Sequence, residues 1–259
     1  ETAAFELLGR KIETEKNPTL NAVYRELSDT FRQYASFEGR DVNEHFQNPT
    51  TGETNALTSL HQRIALREIV DRKKLGVFDG CGTGKTAIAV LAQPLIKERV
   101  EAEGKTFGKT LVVCPNSAKK AWKKGLVEDE SKRYLKEKQK IRVLNGETKD
   151  ENLLDSLRES DWIITNYEQL ITQMNGSDKL FAEELIDLGV DYVVFDESHH
   201  IKNPKGKISK VAQKLANQAE YLTLLSGTPI PDTLEDYAVP FHLLNGDICS
   251  SPADFADLY

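Results

Sequence analysis

Two short runs of residues carry most of the chemistry. Asp79-Gly80-Cys81-Gly82-Thr83-Gly84-Lys85-Thr86 follows an apolar stretch and leads into a helical pattern. Glycines let such a loop turn tightly, so that backbone N–H groups and the helix start face a phosphate chain. The lysine then reaches the terminal phosphates and the threonine hydroxyl meets Mg²⁺. Gly80, Gly82, Thr83, Gly84, Lys85 and Thr86 are the expected nucleotide contacts, with Asp79 where the strict P-loop pattern has glycine. The second run, Tyr192-Val193-Val194-Phe195-Asp196-Glu197, is an apolar strand ending in two carboxylates. A buried strand tolerates charges at its tip when a cation offsets them, as Mg²⁺ on a nucleotide does. Asp196 is expected to hold the metal together with Thr86, and Glu197 to polarise the attacking water. Lys85, Asp196 and Glu197 are therefore the candidate catalytic residues.

Other reactive side chains point elsewhere. His199 and His200 follow the acid pair, but they lack a third ligand and the HExxH spacing of a zinc helix. Cys81, Cys114 and Cys249 are odd in number and irregularly spaced, which excludes a disulfide framework and a CxxC metal knuckle and suits a reducing, intracellular compartment.

Charge is distributed unevenly. The 34 Lys+Arg and 41 Asp+Glu leave a net −7, which argues against holding nucleic acid by bulk charge. Yet residues 119–142 contain ten basic residues against four acidic ones, and residues 202–214 contain five lysines and no acid. On a helix, Ala118, Trp122 and Leu126 share one side, while Lys119, Lys120, Lys123 and Lys124 fall on the other flank. Likewise Ile208, Val211, Ala212 and Leu215 face inward while Lys207, Lys210 and Lys214 face out. Trp122 is read as a core anchor. The lysines are read as candidate phosphate contacts, with a merely solvated face as the alternative.

These residues need a frame. Leu75–Phe78, Thr110–Cys114, Ile141–Leu144, Trp162–Thr165, Tyr192–Phe195 and Tyr221–Leu225 read as strands, mostly continuous apolar runs of the kind buried on both faces of a parallel sheet. Helical patterns alternate with them at Thr86–Arg99, Ala118–Leu126, Glu151–Arg158, Phe181–Leu188 and Lys207–Ala216. The fold class is α/β, a parallel central sheet flanked by helices whose ligands sit beyond the carboxyl ends of the strands. Before it, Leu20, Tyr24, Leu27, Phe31 and Tyr34 recur at helical spacing, a layer that packs on the main domain or binds a protein partner. The polar run from Gln47 to Asn55 is the candidate linker, dividing a helical region at 1–50 from a nucleotide-binding lobe at 51–259. With 39% hydrophobic and 29% charged residues, the composition is that of a folded globular protein. No apolar run approaches the roughly 18 residues that cross a bilayer, and no signal peptide opens the chain. Starting at Glu1 and ending at Tyr259 without a cap or charged tail, the chain is expected to be a segment of a longer polypeptide.

Further segments complete a pattern. Leu60-His61-Gln62 precedes the P-loop, Asn166-Tyr167-Glu168 follows the fourth strand, and Leu225-Ser226-Gly227-Thr228-Pro229 ends the last. With Asp196-Glu197-Ser198-His199-His200-Ile201-Lys202-Asn203, the set resembles the first RecA-like lobe of superfamily 2 helicases, and within them the SNF2 family of double-stranded-DNA translocases. That family's P-loop begins with aspartate, its acid box continues into IKN, and its later box reads LTGTP. Here Gly80 replaces a usual glutamate and Ser198 a usual alanine. Thr110 to Trp122 resembles the family's second block. The resemblance spans about residues 57 to 245 and implies ATP and Mg²⁺ as cofactors and duplex DNA as partner. It also implies an adenine contact at Gln62, and coupling roles for His199, Ser226 and Thr228. A second RecA-like lobe of the same full-length protein would supply an arginine finger, worth about 10³ to 10⁵ in rate. A superfamily 2 RNA helicase, a restriction-type helicase subunit and a non-catalytic nucleotide-dependent interaction module remain the alternatives.

Overall fold

The computed structural model describes residues 36–37, 40–41, 60–127, 139–146, 152–174, 178–230, 232–246, 251–252 and 255. The amphipathic run from Leu20 to Tyr34 and the linker run from Gln47 to Asn55 lie outside the described residues. Within the region read as helical, Ser36–Phe37 (β1) pairs antiparallel with Arg40–Asp41 (β2).

Six strands then form one sheet: β3 (Lys74–Val77), β4 (Lys109–Val113), β5 (Ile141–Val143), β6 (Trp162–Thr165), β7 (Val190–Asp196) and β8 (Tyr221–Leu225). Their spatial order is β3-β8-β7-β4-β6-β5, and every pairing is parallel. The inner strands are mostly apolar because both faces are covered. β8 and β6 are buried along their whole length, whereas the edge strands β3 and β5 are mostly half-exposed.

Alternation along each strand feeds two cores. Val112, Cys114, Trp162, Ile164, Tyr192, Val194, Tyr221 and Leu225 face one layer of helices. That layer holds α1 (Leu60–Arg72), α2 (Lys85–Ala102) and α3 (Lys119–Val127), which bury Leu66, Ile69, Ile88, Leu91, Ile96 and Trp122 against the sheet. Leu111, Val113, Ile163, Val193, Phe195, Leu222 and Leu224 face the other. There α4 (Leu153–Arg158), α5 (Phe181–Asp187), α6 (Lys207–Gln218) and α7 (Ala238–Leu244) contribute Leu157, Phe181, Leu185, Leu215 and Val239. The expected α/β architecture is what forms; α1 and α7, unread in the sequence, are its additional helices.

Register aligns the strand ends. Val77 lies opposite Leu225, Leu225 opposite Asp196, and Val113 opposite both Phe195 and Thr165. The segments that follow β3, β4, β6, β7 and β8 therefore all emerge along one edge of the sheet, where ligands of open α/β folds bind.

Candidate nucleotide and nucleic-acid site

The loop between β3 and α2 takes the conformation its glycines permit. Gly82 and Gly84 have φ of +81° and +85°, the left-handed region that side chains with a Cβ rarely adopt. At Gly84 close approach adds to this, since a Cβ there would stand 2.3 Å from Gln62 Nε2. Gln62 is nearly buried and donates through Nε2 to the carbonyl of Thr83 at 2.9 Å, with His61 Nε2 3.3 Å from the same oxygen. Helix α1 thus fastens the P-loop through its first turn. Lys85 Nζ donates to the carbonyls of Asp79 and Gly80, both at 2.8 Å, and Thr83 Oγ1 donates to Gly80 at 3.0 Å. An ammonium held across a glycine-rich loop at a helix N-terminus can meet phosphate oxygens there.

β8 separates the P-loop strand from β7, so the Ser226-Gly227-Thr228 turn lies between the loop and the acid pair. The Ser226 backbone N–H donates to the Val77 carbonyl, and buried Ser226 Oγ accepts from the Thr228 N–H at 3.0 Å. A Cβ at Gly227 would lie 3.4 Å from Cys81 Sγ and 3.9 Å from Lys85 Nζ, so this turn rests directly on the P-loop. Thr228 itself is exposed.

At the tip of β7, Asp196 is tied from two directions. The Trp122 indole N–H donates to its Oδ2 at 2.7 Å, and the Tyr167 hydroxyl donates to its backbone carbonyl at 2.7 Å. Burial raises the Asp196 carboxyl above the ordinary aspartate range, while the Trp122 hydrogen bond and the charge of Lys85 act in the opposite direction. The Asp196 carboxylate, near enough to Lys85 of the phosphate-binding loop to feel its charge, and the Thr86 hydroxyl in the first turn of the helix after that loop are oxygen donors of the kind Mg²⁺ takes, and a cation would relieve the burial cost on the carboxylate. Glu197 follows with φ 54° and ψ 55°, a left-handed conformation unusual for a residue with a side chain. Its Oε2 is 3.3 Å from His199 Nδ1, ion-pair distance without hydrogen-bond geometry. His199 stacks on His200 at 4.9 Å between ring centroids, and His200 stacks on Tyr167 at 4.9 Å. Burial and then the neighbouring His199 lower the His200 pKa.

Cys114, at the end of β4, is buried, and its thiol is pushed up to about 12 by burial and by the charge of Asp196. It is inert in that state. Cys81 is exposed within the P-loop.

The lysine-rich helices divide unevenly. Lys120, Lys123 and Lys124 are exposed on α3, and Lys207 and Lys210 are exposed on α6. Lys119 corrects the sequence reading: it does not share the solvent face but is 3% exposed. Its Nζ donates to the Leu144 carbonyl, to Asn166 Oδ1 and to Gln169 Oε1, at 2.5, 2.6 and 3.1 Å. The helical wheel misplaced it because it turns charged residues toward solvent, whereas Lys119, the first residue of α3, meets buried acceptors that follow β5 and β6. An open groove of about 370 Å³ lies between α3 and β5, with Lys120, Lys123, Arg142 and Asn145 along it.

Sequence reasoning missed three polar partners of the site. Trp122 was visible only as an apolar anchor, although a buried indole N–H needs an acceptor. Tyr167 lay in a recognised segment without a role. Lys202, from the IKN stretch, pairs with Asp232 Oδ2 at 2.5 Å and Asp236 Oδ2 at 3.0 Å, joining the segment after β7 to the one after β8. Only spatial proximity pairs residues 30 and 34 positions apart.

The loop, the acid pair and the parallel sheet together define a RecA-like P-loop lobe. A family model described as the SNF2-related domain matches residues 61–259, and the chain belongs to that family. Among curated relatives, the DNA repair and recombination protein RAD54-like of Drosophila ananassae is 29% identical over 213 residues, covering 75% of this chain and 25% of that protein. That of Drosophila persimilis is 28% identical over 215 residues with the same coverage. The chain thus spans about a quarter of the length of these relatives. Among solved structures, the Sulfolobus solfataricus SWI2/SNF2 ATPase core in complex with double-stranded DNA superposes with a TM-score of 0.59 at 24% identity, over 78% of this chain and 39% of that one. The Pyrococcus furiosus Hef helicase domain gives 0.51 at 17% identity, over 71% and 36%. Family membership favours the SNF2 reading over the RNA-helicase and interaction-module alternatives. Among the described residues, no helix is long and apolar enough to cross a membrane.

Proposed function

We propose that residues 51–259 form the ATP-binding lobe of an intracellular DNA-dependent ATPase that translocates on double-stranded DNA, fronted by a separate region at 1–50. The observation that carries this reading is the shared sheet edge. There the Lys85 loop, the Ser226-Gly227-Thr228 turn and the Asp196-Glu197 pair adjoin in register.

Lys85 binds the terminal phosphates, and the loop N–H groups of residues 80–86 cradle the chain. Thr86 and Asp196 hold Mg²⁺, which when bound supplies charge neutralisation on the phosphate oxygens. Glu197 orients the attacking water and takes its proton, and His199 steadies Glu197 from 3.3 Å. Gln62 acts on the nucleotide mainly through the P-loop carbonyl it holds. Ser226 and Thr228 transmit the nucleotide state. Lys120, Lys123 and Lys124 on α3, with Lys207 and Lys210 on α6, contact DNA phosphates. The arginine finger comes from a second RecA-like lobe, so residues 1–259 alone hydrolyse ATP far more slowly than the two lobes together.

Turnover by the native polypeptide that carries this chain, measured with and without duplex DNA, tests the assignment. Duplex DNA is expected to stimulate hydrolysis. Glu197→Gln should lower the rate by about 10³-fold, within the range for losing a general base, while nucleotide binding persists. Lys85→Ala should weaken nucleotide binding itself. Undiminished turnover in Glu197→Gln, or equal stimulation by RNA, would overturn the reading.

A further inference from the structure

Helix α3 carries two kinds of side chain that the known chemistry does not connect. Its outer face presents Lys120, Lys123 and Lys124. Its inner face sends the Trp122 indole, 1% exposed, to Asp196 Oδ2 at 2.7 Å. Among the described residues no other side chain hydrogen-bonds that carboxylate. An indole N–H donates and has no lone pair, so it can orient the carboxylate but cannot ligate a metal in its place. The Asp196 backbone is already fixed, since its carbonyl accepts from Tyr167. The Glu197 backbone N–H also donates to the carboxylate, so the Trp122 indole is the one side-chain donor that, with this backbone contact, orients it.

The helix is also anchored at its start. Lys119, one turn before Trp122, places all three ammonium donors on acceptors that follow β5 and β6. The outer lysines and the indole thus share one short helix of nine residues whose start is anchored. We propose that α3 is a two-sided element in which Trp122 is a positioning residue for Asp196, linking the DNA-facing lysines to the Mg²⁺ ligand through one hydrogen bond.

This inference rests on the reading of the site as an Mg²⁺-nucleotide centre that also meets duplex DNA, and its test separates the two. A fluorescent ADP analogue is titrated with Mg²⁺, with and without duplex DNA, against the native polypeptide. Trp122→Phe and a variant carrying benzothienylalanine at position 122, which keeps the indole outline but lacks the N–H, are measured alongside. In the unaltered protein Mg²⁺ strengthens nucleotide binding, and duplex DNA shifts the half-saturating Mg²⁺ concentration. Both variants are expected to raise that concentration about tenfold, the effect of losing a hydrogen bond to a charged group. They should also abolish the DNA-induced shift, while nucleotide affinity and DNA affinity, both measured without metal, stay unchanged. Should Trp122→Phe disturb the core, thermal melting reveals it and the benzothienyl variant decides. Unchanged Mg²⁺ dependence, or a DNA-induced shift that survives loss of the N–H, overturns the role of Trp122 alone. Absence of Mg²⁺-dependent nucleotide binding or of a DNA effect in the unaltered protein overturns the functional reading beneath it as well.

Discussion

Helix α3 adds an ammonium and an indole N–H to the packing of the Trp122 ring on the sheet, whereas α6 rests on it through Val211, Ala212, Leu215 and Ala216. Both helices display lysines to solvent and both are amphipathic, yet they cover opposite faces of the sheet and are attached by different physics. Among the described residues, the polar ties of α6 to its neighbours are Ser209 Oγ, which donates to the Ile201 carbonyl at 2.8 Å, and the exposed Lys214 Nζ, which donates to Glu183 Oε1 of α5 at 3.2 Å. Apolar attachment tolerates small displacements because dispersion has little direction, while hydrogen bonds to Asp196 and to strand-end acceptors do not. The same outward charge pattern is thus tied to the Asp196 side chain on one face of the sheet and, on the other, only to the backbone of the Ser198–Ile201 turn that follows Glu197.

The largest effect on stability is expected where attachment is apolar. Leu215 is 1% exposed, and Leu215→Ala should lower unfolding free energy by about 2–5 kcal/mol, the usual range for deleting a buried leucine. Nucleotide affinity of the remaining folded protein should stay close to that of the parent. Denaturant unfolding followed by nucleotide titration measures both. A fall in affinity matching the fall in stability would break the contrast, because α6 would then be coupled to the site as closely as α3.

A second comparison exchanges one lysine on each helix for methionine. Lys119→Met leaves the Leu144 carbonyl and the Asn166 and Gln169 side chains without their shared donor, at a cost of about 1–3 kcal/mol. Lys210→Met, on an exposed position, should stay within about 0.5 kcal/mol. Equal effects in thermal or denaturant unfolding would mean that Lys119 does not anchor α3.

The same pair of helices marks how far the sequence was legible. Strand positions could be read because parallel strands buried on both faces are mostly apolar, and the observed ends differ from the expected ones by at most two residues. The P-loop and the acid pair were legible because each is a local motif, complete within eight residues or fewer. Helix α1 was not, since Leu60–Arg72 is only weakly amphipathic and strongly charged, with apolar residues packing against α2 from a narrow stripe. Lys119 was misread because a helical wheel assumes that every charged residue leaves the core. Trp122 could be placed in the core and Tyr167 only in the segment after the fourth strand, and neither could be assigned to Asp196, from which they are 74 and 29 positions distant. Periodicity reports which face is buried, not what polar group waits underneath.

The smallest change to the fold, and the sharpest test of the two outer faces, comes from the exposed lysines. Neither Lys120, Lys123 and Lys124 to Ala nor Lys207 and Lys210 to Ala should alter stability by more than about 0.5 kcal/mol per site. Their effect belongs in the salt dependence of duplex-DNA binding, where each neutralised phosphate contributes a slope of about 0.9 in log K against log salt. The α3 triple variant is expected to flatten the slope by up to about 2.7 and the α6 double variant by up to about 1.8. Binding isotherms at several salt concentrations measure this directly. A flattened slope for α3 with an unchanged one for α6 would make α6 a solvated face. DNA contact would then reside on the helix that also holds Asp196, and the division between the two layers would be functional as well as structural. An unchanged slope for α3 would remove DNA from that face, whatever its lysines suggest.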